Sequence, residues 1–208
     1  MMRRLYKIVL VFILFGVVLA NAREAYAADE TITGQEVIYG DEEGLESLEV
    51  NAIAETEDGY IWAGTYSGLY RYDGSKFSLI NLDGRIKNVM SLYVDRQGRL
   101  WIGTNDNGIA VYDGKKVEFY DKSDKLTSNS IRSMVEDNEG NMYVGTVDSL
   151  SVIHTDGTVA ALDVPGDIRC VKSLAISEDG VIAGVTNSGI LFFIKDEKRL
   201  GNDKLNTT

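Results

Sequence analysis

Val89-Met-Ser-Leu-Tyr-Val-Asp-Arg-Gln-Gly98-Arg-Leu-Trp101-Ile-Gly103-Thr104 is the stretch on which the fold turns. A β-branched, apolar opening gives way to a polar run ending in glycine, then to a second apolar run carrying an aromatic and Gly-Thr. The same order recurs three times. Val50 to Thr65 contains Gly59, Trp62 and Gly64; Ile131 to Thr146 contains Gly140, Tyr143 and Gly145; Val171 to Gly184 contains Gly180 but neither the aromatic nor the Gly-Thr pair. The turn glycines are 39, 42 and 40 residues apart, a register that marks internal repetition.

Each copy reads as four short strands. The first has a small residue two positions in (Ala52, Ser91, Ser133, Ser173), as a buried strand closely approached by a neighbour would. Glu57-Asp58-Gly59 and its counterparts are hairpin turns whose glycine supplies positive φ. The third strand ends in Asp73-Gly74, Asp113-Gly114 or Asp156-Gly157, and a short fourth strand follows, clearest at Lys76–Leu79 and Val117–Tyr120. No 3.6-residue period competes. Four antiparallel strands per 40 residues is the pattern of a propeller blade, so the expected fold is all-β: a β-propeller of four blades, partial or open. Blades are expected at about 50–80, 89–120, 131–162 and 171–200.

The residues ahead of the repeats have another character. Arg3, Arg4 and Lys7 precede an unbroken apolar run from Ile8 to Ala20, and Ala25-Tyr26-Ala27 fits a cleavage site. Thirteen residues are short of the roughly 20 a membrane helix needs. Residues 1–27 therefore read as a signal peptide, 28–35 as a linker and 201–208 as a tail, in a protein exported to the periplasmic or extracellular side. The chain carries a formal charge of −11, and removal of residues 1–27 leaves about −14. Such acidity disfavours nucleic acid and anionic lipid as partners. Cys170 is the single cysteine and reads as a buried, inert thiol; no intrachain disulfide can form.

No catalytic constellation is visible. His154 is the only histidine and aligns with Arg71 and Val111 in a third strand. One His and one Cys make no zinc site, and the acidic glycine turns lack calcium-loop spacing. No metal or cofactor is expected. Trp62, Trp101 and Tyr143 could stack on sugars, but their fixed place in the repeat favours packing between blades. Recognition is better sought at loop tips on a rigid scaffold. The variable tips after Gly-Thr are the candidates: Tyr66, Ser67, Asn105, Asp106, Asn107, Asp148, Ser149, Asn187 and Ser188.

Leu126 through Thr146, and Gly44-Leu45 through Trp62-Ala-Gly64-Thr65 with Gly68 to Gly74, closely resemble the two-component regulator propeller repeat. The resemblance covers roughly residues 36–195 and weakens in the fourth copy. It implies the extracytoplasmic sensor half of a membrane receptor, whose output is a histidine kinase or diguanylate cyclase and whose ligand is a saccharide or other small molecule. It also implies a larger ring, of which this chain would be a fragment lacking the output domain. Glu36-Val37-Ile38-Tyr39 aligns with the outer strand at Val117–Tyr120 and is expected to close the last blade. The alternatives are a secreted propeller lyase acting on polysaccharide or peptide, and an interaction scaffold that assembles through open blade faces.

Overall fold

A computed structural model describes residues 37–47 and 49–200; the expected signal peptide, linker, residue 36 and tail lie outside them. The chain divides into two units at Ile38/Tyr39, and all sixteen strands fall in the second. They form four four-stranded sheets, each in sequential order. Blade 1 comprises β1 (Val50–Glu55), β2 (Ile61–Thr65), β3 (Gly68–Tyr72) and β4 (Phe77–Ile80). Blade 2 comprises β5 (Val89–Val94), β6 (Leu100–Thr104), β7 (Ile109–Tyr112) and β8 (Val117–Tyr120). Blade 3 comprises β9 (Ile131–Glu136), β10 (Met142–Thr146), β11 (Leu150–Ile153) and β12 (Val159–Ala161). Blade 4 comprises β13 (Val171–Ile176), β14 (Ile182–Thr186), β15 (Leu191–Lys195) and β16 (Lys198–Arg199). All pairings are antiparallel.

The hairpin glycines do what their sequence context demands. Gly59, Gly98, Gly140 and Gly180 have φ of 82°, 76°, 90° and 80°. Each donates its N–H to the carbonyl three residues back, at Thr56, Asp95, Asp137 and Ser177. That fourth-from-last turn residue also organises the hairpin with its side chain. The buried Asp95 carboxylate accepts from the backbone of Gln97 and Arg99, from the Arg99 guanidinium (2.7 Å) and from the Trp101 indole (2.7 Å). Trp62 donates to Thr56 Oγ1 in the same way (2.9 Å).

The core lies between the blades. Inner strands pack in sequence, β1 on β5, β5 on β9 and β9 on β13, and no comparable packing returns β13 to β1. Three of the four apolar clusters fill the three junctions. Trp62, Trp101 and Tyr143 are all buried there, which settles their role as packing residues. The segments leading into the blades bury apolar side chains against the stack: Leu45, Ile86, Leu126, and Leu162 together with Ile168. Beside them Asn88, Lys125 and Cys170 accept positive φ although none is glycine.

The closest approach between blades is at the glycine of Gly-Thr. A Cβ on Gly64 would sit 2.5 Å from Val89 Cγ1; one on Gly145 would sit 2.6 Å from Val171 Cγ1; one on Gly103 would meet Ser91 Oγ and lie 2.7 Å from Ile131 Cγ2. A glycine in mid-strand loses packing and costs entropy, and here the neighbouring blade requires it. Register puts Val185 at this position in blade 4, two residues after Ala183, which replaces the aromatic. Among the described residues no further blade packs on that side of β14. The fourth repeat keeps the threonine, as Thr186.

Three expectations are corrected. Residues 37–39 adopt no strand and join none of the sheets; β16 occupies the outer edge of blade 4. A tight turn at Asp196 and Glu197, with φ of 50° and 60°, supplies that partner locally, and a short loop is entropically cheaper to close than a ring. His154 lies past β11, in the turn to β12, at the position of Asp73 and Asp113. Cys170 is half-buried in the connector ahead of β13.

Replacing Gly145 by Ala is expected to destabilise the chain by about 1–3 kcal/mol, because the junction is already full. Gly84→Ala, where an added Cβ meets nothing within 4 Å, is the control. Urea midpoints of the two variants against the parent check this.

Candidate functional site

The nine loop-tip residues lie at one end of the blades, and a buried threonine shapes each tip. Thr65 Oγ1 donates to the Gly68 carbonyl (3.0 Å) and accepts from the N–H groups of Ser67 and Gly68. Thr104 donates to the Gly108 carbonyl and accepts from Asn107 N–H; Thr146 donates to the Ser149 carbonyl and accepts from the N–H groups of Asp148 and Ser149. Thr186 accepts from Ile190 N–H and bonds the Ser188 hydroxyl. The hydroxyl fixes the backbone of the turn, so the tip side chains vary without loss of shape. Tyr66, Ser67, Asp106, Asp148, Asn187 and Ser188 are exposed, while Asn105, Asn107 and Ser149 are half-buried.

These tips do not stand alone. Asn88 N–H donates to the Tyr66 carbonyl, and Asn105 N–H donates to the Asn88 carbonyl. Val147 N–H donates to the Ser130 carbonyl, Cys170 N–H to Val147, and Asn187 N–H to Cys170. The Asn105 side chain bridges the two runs: its Oδ1 accepts from Ser130 Oγ (3.0 Å) and from the Arg132 guanidinium (2.9 Å). Asn88 Nδ2 donates to Asp106 (2.8 Å), and Asn107 Nδ2 donates to the Arg85 carbonyl (2.9 Å). A hydrogen-bonded rim therefore runs across all four blades. Asn105, Asp106 and Asn107 are drawn into it by their side chains, and Tyr66 and Asn187 through their backbones.

Reading the sequence missed a second set of residues at this end. Each innermost strand carries a bulge at its second residue, where the register with the next strand slips: Asn51, Met90, Arg132 and Lys172. A bulge leaves its extra residue unpaired and re-aims its side chain. Asn51 Nδ2 reaches across the junction to the Val89 carbonyl (2.9 Å) and lies 3.8 Å from Met90 Sδ. Arg132, half-buried and held by Asn105, brings a fixed cation to the rim, and Lys172 adds an exposed one. Sequence spacing carries a signal for them, one residue past each strand-opening Val or Ile, but only the register shift gives it meaning.

Three clefts open at the other end of the blades, among the hairpin and third-turn loops, and none of the nine tips lines them. The cleft between blades 3 and 4 has a volume of about 380 Å³ and includes Asp137, Glu139, Asp179, Asp196 and Glu197. His154 Nδ1 lies 3.7 Å from Glu197 Oε1. Among the described residues no group of His, Cys, Asp and Glu side chains has the arrangement of a metal site. Burial is the main cause that lifts the Tyr143 phenol in this cleft from 10.0 to about 12, helped by the charges of Asp137 and Glu197.

Three segments, 44–67, 83–106 and 125–148, match a family described as the two component regulator propeller. No curated protein matches the chain. Among solved structures it is similar to the extracellular domain of a hybrid two component system from B. thetaiotaomicron (TM-score 0.66, 19% identity, covering 80% of this chain and 26% of that one). It is also similar to the extracellular domain of a one component system from the same organism (TM-score 0.62, 26% identity, 74% and 22% covered). A streptogramin B lyase shares the fold (TM-score 0.56, 18% identity, 69% and 53% covered). The chain thus spans about a quarter of the length of the two extracellular domains.

Tyr143 makes a prediction about alkaline stability. Its proton is held more tightly in the folded chain, so the stability it contributes is complete below pH 10 and is lost as pH rises toward about 12. Tyr143→Phe should lose less stability than the parent between those pH values, measured by denaturant unfolding, and should lack the highest-pH step in phenolate absorbance.

Proposed function

We propose that this chain, which carries two-component regulator propeller repeats, is the extracytoplasmic sensor module of a signal-transducing receptor. In this reading residues 1–27 direct export, and a histidine kinase or diguanylate cyclase elsewhere supplies the output. The ligand is a saccharide or another small polar molecule held at the rim. The single observation that carries the site is the hydrogen-bonded rim itself. Buried threonines and interblade bonds make its backbone rigid, while the exposed side chains differ from blade to blade. That combination suits recognition, because a preorganised surface loses little entropy on binding. The similarity to extracellular domains of two component and one component systems supports the same reading.

The ligand would meet Tyr66 and Ser67 from blade 1, Asp106 and the Asn105–Arg132 pair from the middle, and Asn187, Ser188 and Lys172 from blade 4. Arg132 offers a planar fork of donors suited to a carboxylate or to paired hydroxyls.

A lyase reading draws on the fold shared with streptogramin B lyase. Against it, His154, the one histidine in the sequence, sits in a turn at the cleft end and faces Glu197 rather than the rim.

An array of neutral and acidic oligosaccharides, read by binding and by thermal shift of the purified chain, tests the proposal. At least one class should bind. Arg132→Ala and Asn105→Ala should weaken that binding about tenfold to a hundredfold, the value of a hydrogen bond to a charged group. An array to which nothing binds, or binding indifferent to both substitutions, would remove the rim from consideration.

A further inference from the structure

Arg132 brings to the rim a charge that the chain itself does not answer. It stands on β9, half-buried, with a packed junction on either side of its blade. Its guanidinium donates to Asn105 Oδ1 (2.9 Å) and to the Ile131 carbonyl (3.3 Å), both neutral acceptors. Those bonds use two of the five N–H groups of the fork, and the other three meet no acceptor among the described residues. No carboxylate of the described residues lies within 4.0 Å of it. Other arginines do find one: Arg85 pairs with Asp83 (3.0 Å) and Arg99 with Asp95 (2.7 Å). Acid is not scarce, since the sequence holds 32 Asp and Glu against 21 Lys and Arg.

An amide stands between this cation and the acid of the neighbouring tip. Asn105 turns its carbonyl oxygen to Arg132 and Ser130 Oγ, and its amide nitrogen to Asp106 Oδ1 (2.9 Å). Asn88 Nδ2 takes the other oxygen, Asp106 Oδ2 (2.8 Å). Both carboxylate oxygens are thus held by amides. An aspartate at 105 would pair with the guanidinium directly; the asparagine fixes its direction and leaves its charge intact. The bulges point the same way. Asn51, Met90, Arg132 and Lys172 occupy them, none acidic, and the two cations follow one another on inner strands that pack together, β9 and β13. A charge drawn part-way out of water with only neutral partners is costly unless an opposite charge arrives.

We propose that Arg132 is an anion site of the rim and that its ligand is a carboxylate, such as a uronic-acid saccharide carries. This rests on the reading of the rim as a binding surface and narrows it. A hydroxyl would add one more neutral partner to a guanidinium that already has two. A carboxylate supplies the missing charge and matches the planar fork with two oxygens. The net charge of −11 is a weaker influence at contact range, because salt screens charges farther off than about 8 Å. Asn105 is a positioning residue, acting through Arg132.

Isotope-labelled arginine makes the Nε–H resonance of Arg132 the readout, assigned by its loss in Arg132→Gln. Sodium glucuronate added to the purified chain should move that resonance saturably, with a dissociation constant of about 1–10 mM. Glucose, glucuronate methyl ester and sodium sulfate at matched ionic strength should not move it. Asn105→Asp, which puts a carboxylate on the guanidinium, should weaken glucuronate binding tenfold or more while keeping a cooperative melt. Lys115→Gln removes an equal charge from the exposed turn between β7 and β8, at the cleft end, and should bind as the parent does. No shift with glucuronate, an equal shift with glucose, the ester or sulfate, or full binding by Asn105→Asp would each overturn the proposal. Neutral saccharides that bind at the other tips, with glucuronate silent at Arg132, would remove the anion site and keep the sensor reading. A glucuronate shift beside a saccharide array to which nothing binds would do the reverse.

Discussion

The close approach of one blade to the next at a mid-strand glycine is the constraint on which the rest depends. Gly64, Gly103 and Gly145 each face a β-branched residue that opens the following blade, at distances where no Cβ fits. That contact sets the spacing between innermost strands. The spacing in turn decides that the aromatic two residues earlier is buried and that its indole must find Thr56 or Asp95. It also leaves each junction a gap that the connectors plug with Ile86, with Leu126, and with Leu162 and Ile168.

The same spacing creates the rim. Because β5 packs on β1 and β9 on β5, the residue ahead of each inner strand meets the turn of the blade before it. Backbone groups at Asn88, Ser130 and Cys170 then find partners at Tyr66, Asn105, Val147 and Asn187. Buried or half-buried backbone polar groups need such partners, so the rim is as much a requirement of the packing as a platform for recognition. The threonine beneath each tip makes it affordable to vary the exposed side chains.

Much of this was legible in the residues. The positive-φ glycines, the four-strand unit and the packing role of Trp62, Trp101 and Tyr143 follow from local chemistry and repetition. Other features were not. The bulges at Asn51, Met90, Arg132 and Lys172 are slips between two strands, and a single strand's pattern does not contain them. Residues 37–39 have the composition of an outer strand, but composition does not name a partner, and the Asp196-Glu197 turn supplied a nearer one. His154 lies in the turn two residues past the position of Val111, and an alignment on glycine alone cannot see where β11 stops.

The sequence by itself determined the blade: period-two strands, glycine turns and a threonine-capped tip are local, so their signals lie within a few residues of one another. The tertiary structure decided what each face of a blade meets. Whether Gly145 must be glycine and which end gathers Arg132 and Asn105 both depend on a neighbour dozens of residues away. That information resides in the packing of one sheet on the next, where volume rather than pattern sets the answer.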